Sequence, residues 1–143
     1  MEQSLQQVRM RYAHRVSSSV SAQDIEEYAS DAASLPADIR MSGLGQALAF
    51  YRAKGKQKAV LCGHVSDWLT ARQHSAAHEL TSEAGIPAVY AGASDVQDAI
   101  MDNDVDAYIL ATAEAMALME WLKKLAAAAK ARHATAQPAT EQT

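Results

Sequence analysis

A helical pattern of side chains runs through the last third of the chain and most constrains its fold. The pattern begins at Val105 and ends at Leu125, with steps mostly of three or four residues. Its members are Val105, Ile109, Thr112, Met116, Met119, Leu122 and Leu125. Spacing of this kind places the side chains on one face of an α-helix. The pattern predicts a helix that Asp104 caps, that buries this face, and that continues to about Lys130, a length of about 40 Å.

Shorter stretches with the same spacing fill the rest of the chain. They predict helices over about 4–18, 25–35, 44–54, 57–73, 75–84 and 94–101, and Pro36 is expected to open a short segment of its own at 36–41. The stretch AVYAGAS has no partner strand and is interpreted as a connector. With 143 residues and no internal repeat, the chain is expected to form one all-α domain over 1–131, followed by a disordered tail at 132–143.

Two glycines precede a helical stretch in SGLGQALAFYRAK. Gly43 suits the positive φ that ends the preceding helix. Gly45 would fall in the first turn of the next helix, where glycine costs about 1 kcal/mol relative to alanine, so we expect another backbone to approach it closely. Gly63, inside a later helix, is a second candidate for tight contact between helices. Ser94 and Gln97 resemble a capping box for the short helix that follows them.

The sequence argues against a membrane or secreted protein. No apolar run approaches the ~20 residues that span a bilayer, and the N-terminal stretch MEQSLQQVRMRYAHR lacks the apolar core of a signal peptide. Cys62 is the only cysteine, so an intrachain disulfide and a cysteine-based zinc site are excluded. We therefore expect a cytoplasmic protein that does not associate with membranes.

Charge is segregated along the chain, although the net charge is only −4. Residues 1–39 sum to −3, residues 40–72 to +5, residues 73–122 to −9 and residues 123–143 to +3. Two solvated helix faces would explain such blocks. An anionic partner, or head-to-tail association between copies, would explain them equally well.

The residues with catalytic chemistry do not form a convincing site. His74 and His78 are four residues apart, a spacing that would put both on one helix face, but two imidazoles are only half of a metal site. His64 and Asp67 lack the built pocket that a nucleophile and its base need. Cys62 is expected to be an inert buried thiol. The sequence predicts no catalytic residue, no metal and no cofactor, whereas its Lys and Arg residues would suit a phosphate backbone.

Three stretches resemble a known family. LPADIRMSGLGQALAFYRAKGK, HVSDWL and ATAEAMALMEWLKKLAAAA, in this order and spacing, resemble the small α-helical subunit of the Cmr complex, the type III-B CRISPR RNA-guided effector. The resemblance covers about residues 5–130, and its most specific part includes Gly43, Leu44, Gly45 and Gln46. It implies a non-catalytic subunit with a compact bundle of about five or six helices. Copies of such a subunit stack beside the backbone and large subunits and line the channel for guide and target RNA.

Candidate contacts follow from this implied role together with the charge blocks. Phosphate contacts are expected from Arg40, Arg52, Lys54, Lys56, Lys58, Lys123, Lys124 and Lys130. Stacking against a basic edge of the next copy is expected from Asp95, Asp98, Asp102, Asp104 and Asp106. Many family members carry lysines ahead of Leu35, where this chain has DAAS at 31–34, so no phosphate contact is expected there.

Other functions stay open at this point. One is a helical protein–protein adaptor whose basic residues never touch RNA, and another is a small hydrolase that uses His64 or the pair His74 and His78. The related type III-A small subunit is a functional near-neighbour, although the motif at Gly43 favours type III-B. RNA binding that weakens with salt, by a log–log slope of roughly −0.7 per single-strand phosphate contacted, would separate the RNA-binding subunit from the adaptor.

Overall fold

The structure, a computed structural model, describes residues 3–136. These residues form seven α-helices joined by short connections, and they contain no strand. The helices are α1 (Leu5–Ser18), α2 (Ile25–Ser42), α3 (Leu44–Lys54), α4 (Lys56–Thr70), α5 (Ala76–Ala84), α6 (Val96–Asp102) and α7 (Val105–Ala136). The predictions of an all-α fold and of a long C-terminal helix are confirmed. The described residues contain seven helices rather than the five or six that the resemblance implies, and the short helices α5 and α6 each begin with a side-chain cap.

Side-chain caps begin three helices close to their predicted starts, although only the Asp104 cap was itself predicted. Ser4 and Gln7 form a capping box for α1, in which the Gln7 amide donates to Ser4 Oγ at 3.1 Å and the Ser4 amide donates to Gln7 Oε1 at 2.7 Å. The hydroxyl of Ser75 caps α5. Asp104 caps α7, since its Oδ1 accepts from the Ala107 amide at 2.9 Å. These local hydrogen bonds satisfy amides that have no partner inside their own helix.

The start of α6 differs from the prediction. Asp95, not Ser94, is the capping residue, and its Oδ1 accepts from the amides of Gln97 and Asp98 at 2.8 and 3.3 Å. A carboxylate offers more acceptor positions than a hydroxyl and carries a charge that suits a helix N-terminus. The aspartate is therefore the better cap of the two neighbours.

The prediction that Pro36 starts a new segment is wrong. Helix α2 runs through Pro36 without interruption, and this proline is buried. A proline inside a helix removes one backbone hydrogen bond and costs about 3 kcal/mol. The flanking Leu35 and Ile39 are almost completely buried, and burying such side chains contributes about 1.5–3 kcal/mol each. Packing on both sides of the proline thus offsets its cost.

The core lies where α7 packs against α1 and α2 and where α3 packs against α4. The buried face of α7 combines four alanines with three larger side chains: Ala111, Ala115, Leu118, Met119, Leu122, Ala126 and Ala129. The predicted stripe is therefore wrong at its start, because Val105 and Ile109 are 67% and 61% exposed. Between them Tyr108 turns toward α3, so its neighbours on the helix point away from the bundle.

Gly43 and Gly45 lie against a side chain of α7. The amide of Gly45 donates to the Tyr108 hydroxyl at 3.0 Å, and a Cβ on Gly45 would stand 3.6 Å from the same oxygen, an ordinary contact. The predicted close approach is thus made by a tyrosine rather than by a backbone. Gly43 has φ of 86°, and a Cβ there would stand only 3.2 Å from Tyr108 Oη. At Gly63 a Cβ would meet nothing within 4 Å, so the predicted tight helix contact there is wrong.

Helix α7 continues to Ala136 and so includes the first five residues of the segment at 132–143 for which disorder was predicted. The remaining residues of that segment, 137–143, lie outside the described residues. Across the described residues, none of the helices combines the length and apolarity that crossing a bilayer requires.

Candidate nucleic-acid interface

Basic side chains surround the turn that joins α3 to α4. Gly55 forms this turn with φ of 74°, between the last residue of α3, Lys54, and the first residue of α4, Lys56. Arg52 lies two residues before Lys54, and Lys58 lies two residues after Lys56. Cations at the C-terminal end of α3 complement its helix dipole, whereas the first turn of α4 contains no acidic residue that would offset the positive end of that helix. The turn is therefore electropositive from both sides.

Lys58 is already paired within the chain. Its Nζ lies 2.6 Å from Asp31 Oδ1, and the Asp31 side chain is 8% exposed. The hydrogen bond to Asp31 raises the pKa of Lys58 above its ordinary value. Asp31 begins the DAAS stretch, where no phosphate contact was expected, and it is the ion-pair partner of Lys58. The pair ties α2 to α4, and it reduces what Lys58 can offer to phosphate.

Arg52 is also paired, and its partner is one of the acids predicted to stack between copies. Arg52 Nη1 donates to Asp95 Oδ2 and to Gln97 Oε1, both at 3.0 Å. The hydrogen bond from Arg52 is the main reason that the pKa of Asp95 lies below its ordinary value. The structure thus joins two predicted site residues from different groups, across α3 and α6.

Three predicted cations have no ion-pair partner among the described residues. They are Arg40, near the end of α2, and Lys54 and Lys56 beside the turn, and all three are exposed. Lys54 Nζ stands 5.3 Å from the ring centre of Phe50, which is itself 51% exposed. An exposed aromatic ring beside a cation can stack on a base while the cation contacts phosphate. Sequence reasoning did not single out Phe50.

The remaining predicted cations lie on the second half of α7. Lys124 and Lys130 are exposed, Lys123 is half-buried, and Lys124 Nζ lies 3.8 Å from Glu120 Oε2. Tyr108, where α7 touches α3, precedes Lys123 by about 22 Å along the helix axis. The structure therefore keeps these lysines well apart from the place where α7 touches the start of α3.

The stretch of chain that carries four of the predicted stacking acids also exposes large apolar side chains, which the sequence did not reveal. Met101 is 72% exposed, and Leu110 is 57% exposed beside the exposed Val105 and Ile109. We call these four residues the α7 entry surface. Asp98, Asp102, Asp104 and Asp106 are all exposed in the same stretch of chain. Exposed apolar side chains that cluster and have a polar rim are typical of protein–protein contact sites.

The family motif has a structural role in the bundle. Leu44 is fully buried and Gln46 is exposed at the start of α3. Gly43 ends α2 and begins α3, and both glycines lie against Tyr108, as described above. The motif thus sets the angle between α2 and α3 and docks their junction onto α7.

The histidines are distributed differently from the prediction. His64 Nδ1 shares a hydrogen bond of 2.7 Å with the Tyr28 hydroxyl, and burial lowers the pKa of His64 to about 4. His74 lies outside α5 with φ of 70°, so it does not share a helix face with His78, contrary to prediction. Within the described residues, no group of three His, Cys, Asp or Glu side chains is arranged to hold a metal ion.

Cys62 is a buried thiol, as predicted. Its Sγ donates to the carbonyl of Leu48 at 3.3 Å, and burial raises its pKa. A thiol that stays protonated is a poor nucleophile.

Comparison with known proteins identifies one family. The family model described as CRISPR-associated protein (Cas_Cmr5) matches residues 5–129 of the chain. No curated protein matches the sequence. The matched region extends from the start of α1 into the second half of α7 and includes the basic turn, the motif at Gly43 and the α7 entry surface.

Proposed function

The chain belongs to the Cas_Cmr5 family of CRISPR-associated proteins and is therefore a component of a Cmr complex that associates with other Cmr subunits. From this premise we propose a more specific role. It is the non-catalytic small subunit of a type III-B effector. Its copies stack along the ribonucleoprotein and line the channel for guide and target RNA. This role supports RNA-guided antiviral cleavage that other subunits carry out.

The RNA contact is supported above all by the exposed, unpaired cations at the α3–α4 turn. Lys54 and Lys56 project beside Gly55 with no ion-pair partner among the described residues, and Phe50 lies next to Lys54. Lysines that form no ion pair within the chain can bind phosphates, and release the counterions of those phosphates, without breaking a contact that stabilises the fold.

The stacking contact is supported by the α7 entry surface and the acids around it. Fully burying one exposed side chain of this size contributes about 1.5–3 kcal/mol, so several together can hold a weak interface once the cost of association is met. The acids that flank this surface would orient a basic edge of the next copy. Such an edge lies near the opposite end of α7, at Lys123, Lys124 and Lys130, which we here assign to stacking instead of the predicted phosphate contacts. A contact between opposite ends of a molecule is head-to-tail and propagates along a filament.

The RNA contact can be tested in a reconstituted complex with single charge-removing variants. Lys54→Gln and Lys56→Gln should each weaken RNA binding and reduce the log–log salt slope by about 0.7–0.9, the contribution of one phosphate. Arg11→Gln is the matched control, because Arg11 is an exposed cation on α1, away from the turn. An unchanged slope in both lysine variants would argue against RNA contact at the turn.

The stacking contact can be tested by counting copies of the subunit in the assembled complex. Ile109→Asp and the charge reversal Asp102→Lys/Asp106→Lys should each lower the number of copies, measured by native mass spectrometry. Asp104 is left intact because it caps α7, and its loss would perturb the helix itself. A full complement of copies in both variants would remove this surface from the proposal.

A protein–protein adaptor without RNA contact is the second candidate. The ion pairs of Arg52 and Lys58 favour it, because part of the basic block is already paired with carboxylates of the same chain. This alternative predicts that the lysine variants at the turn assemble normally and bind RNA with an unaltered salt slope.

A further inference from the structure

A cavity of about 340 Å³ opens between α3, α4 and the start of α6. Its lining includes apolar groups at Ala59, Cys62, Gly63 and Val96, together with Arg52, Arg72, Gln97, several hydroxyl groups and two carboxylates. This volume is within the range of natural small-molecule sites. A lining that contains both apolar groups and arginines suits a ligand that has both a flat apolar part and an anionic part.

Gly63 lines the cavity without placing a side chain in it. It lies in the middle of α4, where glycine costs about 1 kcal/mol relative to alanine. A Cβ at this position would meet nothing within 4 Å, so no contact inside the fold requires a glycine. The missing side chain leaves helix backbone facing the cavity, and a planar group can approach it closely.

Two arginines from different elements are held in the cavity lining in the same way. Arg52 Nη1 donates to Asp95 Oδ2 and Gln97 Oε1, and Arg72 Nη1 donates to the carbonyl of Ser94 at 3.2 Å. Each guanidinium is therefore anchored to the segment 94–97 through one nitrogen. The Nε and Nη2 donors of both arginines have no partner among the described residues. Guanidinium groups that are fixed in place with free donors are suited to binding phosphate oxygens.

The acids in the cavity wall limit the charge of the ligand. Asp95 accepts hydrogen bonds from Arg52 and from backbone amides of α6. Asp67 Oδ2 accepts from the Tyr12 hydroxyl and from the Ala77 amide, both at 3.2 Å. The two arginines and two carboxylates balance, so the cavity is not strongly positive. A phosphodiester, which carries one charge, fits this balance better than a free triphosphate.

We propose that this cavity receives one nucleotide of an RNA strand, with its phosphodiester between Arg52 and Arg72 and its base over Gly63. The inference rests on the proposed RNA contact of this subunit and deepens it. It adds Arg72 and Gly63 to the predicted RNA-contact residues. It also assigns Arg52, which Asp95 holds in position, to a particular phosphodiester.

The test uses the full-length chain and compares ligands that share phosphate chemistry. The dinucleoside phosphate UpU should shift the backbone amide resonance of Gly63 in an NMR titration, because its single phosphodiester suits the cavity. The same concentrations of UMP and ATP should shift it less. Tighter binding of ATP than of UpU, or UpU shifts that avoid Gly63, would overturn the proposal in favour of a free-nucleotide site or of no site.

Cavity-filling variants test the same site in binding to a short oligouridine. Gly63→Leu should weaken binding at least about fivefold, the lower limit of what losing one base contact costs. Gly63→Ala should weaken binding less than Gly63→Leu does, because its single methyl group occupies the place of closest approach but leaves most of the cavity open. Arg72→Gln should reduce the log–log salt slope by about 0.7, one single-strand phosphate. Thermal unfolding of each variant confirms that the chain is folded.

The outcomes separate this inference from the proposed function. If Lys54→Gln and Lys56→Gln alter RNA binding in the complex while Gly63→Leu and Arg72→Gln do not, the cavity proposal is overturned and the function stands. If the complex shows no RNA contact by this subunit, the function fails, and the UpU titration of the isolated chain still decides whether the cavity binds a phosphodiester.

Discussion

The effects of substituting Arg9 and Glu114 on the unfolding free energy should be strongly coupled, because the ion pair between them connects α1 to α7 and is largely buried. Arg9 Nε and Nη2 lie 2.7 and 2.8 Å from the two carboxylate oxygens, and the two side chains are 13% and 15% exposed. Trp68 Nε1 also donates to Glu114, at 2.9 Å. Removing one partner of a buried pair leaves the other charge without compensation and costs about 3–5 kcal/mol.

The partial exposure of this pair reduces that cost, so we expect each single variant to lose about 2–3 kcal/mol of unfolding free energy. Arg9→Met leaves an uncompensated carboxylate, and Glu114→Gln leaves an uncompensated guanidinium. In the double variant neither charge remains, and the glutamine still accepts from Trp68. The double variant should therefore lose only about 2 kcal/mol, giving a coupling energy near 3 kcal/mol. Urea unfolding followed by tryptophan fluorescence measures all four free energies.

A second arginine–glutamate pair provides the control. Arg15 Nη2 lies 2.7 Å from Glu79 Oε2, but these side chains are 49% and 61% exposed. An exposed pair of the same chemistry should show a coupling below about 1 kcal/mol. If the losses at Arg9 and Glu114 simply add, or if the exposed pair couples as strongly, burial does not set the strength of these pairs and the reasoning is refuted.

The same carboxylate predicts how stability depends on pH. Burial by itself would raise the pKa of Glu114, but the hydrogen bonds from Arg9 and Trp68 outweigh it and hold the pKa below its ordinary value. The unfolded chain therefore takes up this proton at a higher pH than the folded chain does. The stability from this group is present above about pH 4.5 and is lost as pH falls through the folded pKa. Glu114→Gln should remove that part of the acid dependence.

Three further predictions concern single side chains. Burial lowers the pKa of His64 to about 4. Between pH 6.5 and 4, the unfolding free energy of the chain should therefore fall by about 3 kcal/mol more than that of the His64→Gln variant. Parallel pH profiles would contradict this. Gly43→Ala should destabilise the chain by about 1–2 kcal/mol because of its positive φ, whereas Gly63→Ala should stabilise it by up to about 1 kcal/mol; shifts of the same sign would contradict both. Tyr108→Phe should cost about 1 kcal/mol by leaving the Gly45 amide without an acceptor, and an unchanged melting temperature would refute it.

Sequence predicts this fold best where a helix boundary depends on neighbouring residues. Ser4, Ser75 and Asp104 cap the helices that follow them, because a capping side chain reaches amides only two or three positions away. The same local rule failed at Pro36, where buried contacts on both sides hold a helix that the proline alone would break. Local preference is a weak guide when a segment lies in the core.

The face that α7 buries illustrates a different limit. The apolar pattern favoured its largest side chains, yet the helix packs through alanines such as Ala111 and Ala115 and leaves Val105 and Ile109 in solvent. Close packing of three helices selects small residues, and a hydrophobicity pattern ranks them below the large ones. The α7 entry surface could not be predicted for this reason, although it became visible once the packing partners of α7 were known.

The candidate site was predictable as a set of charges but not as a set of contacts. The basic block around Gly55 lies at the α3–α4 turn because its members are adjacent in sequence. The pairing of Arg52 with Asp95, by contrast, joins residues that lie on α3 and at the start of α6, and only the fold brings them together. Pairing changes what each can do, since a cation held by a carboxylate contributes less to a polyanion than a free one.

These pairings also bear on how the two proposed surfaces would respond to salt. Arg52 and Asp95 neutralise each other within one copy, and Lys58 and Asp31 do the same. The charge available for contact between copies is therefore smaller than the block sums indicate, and the four apolar side chains of the α7 entry surface must supply most of the contact energy. Burial of apolar surface is not weakened by screening, whereas phosphate contacts lose affinity steeply as salt rises. Raising the salt concentration should thus release RNA from the α3–α4 turn before it separates stacked copies, and simultaneous loss of both would place charge, rather than apolar burial, at the centre of the stacking contact.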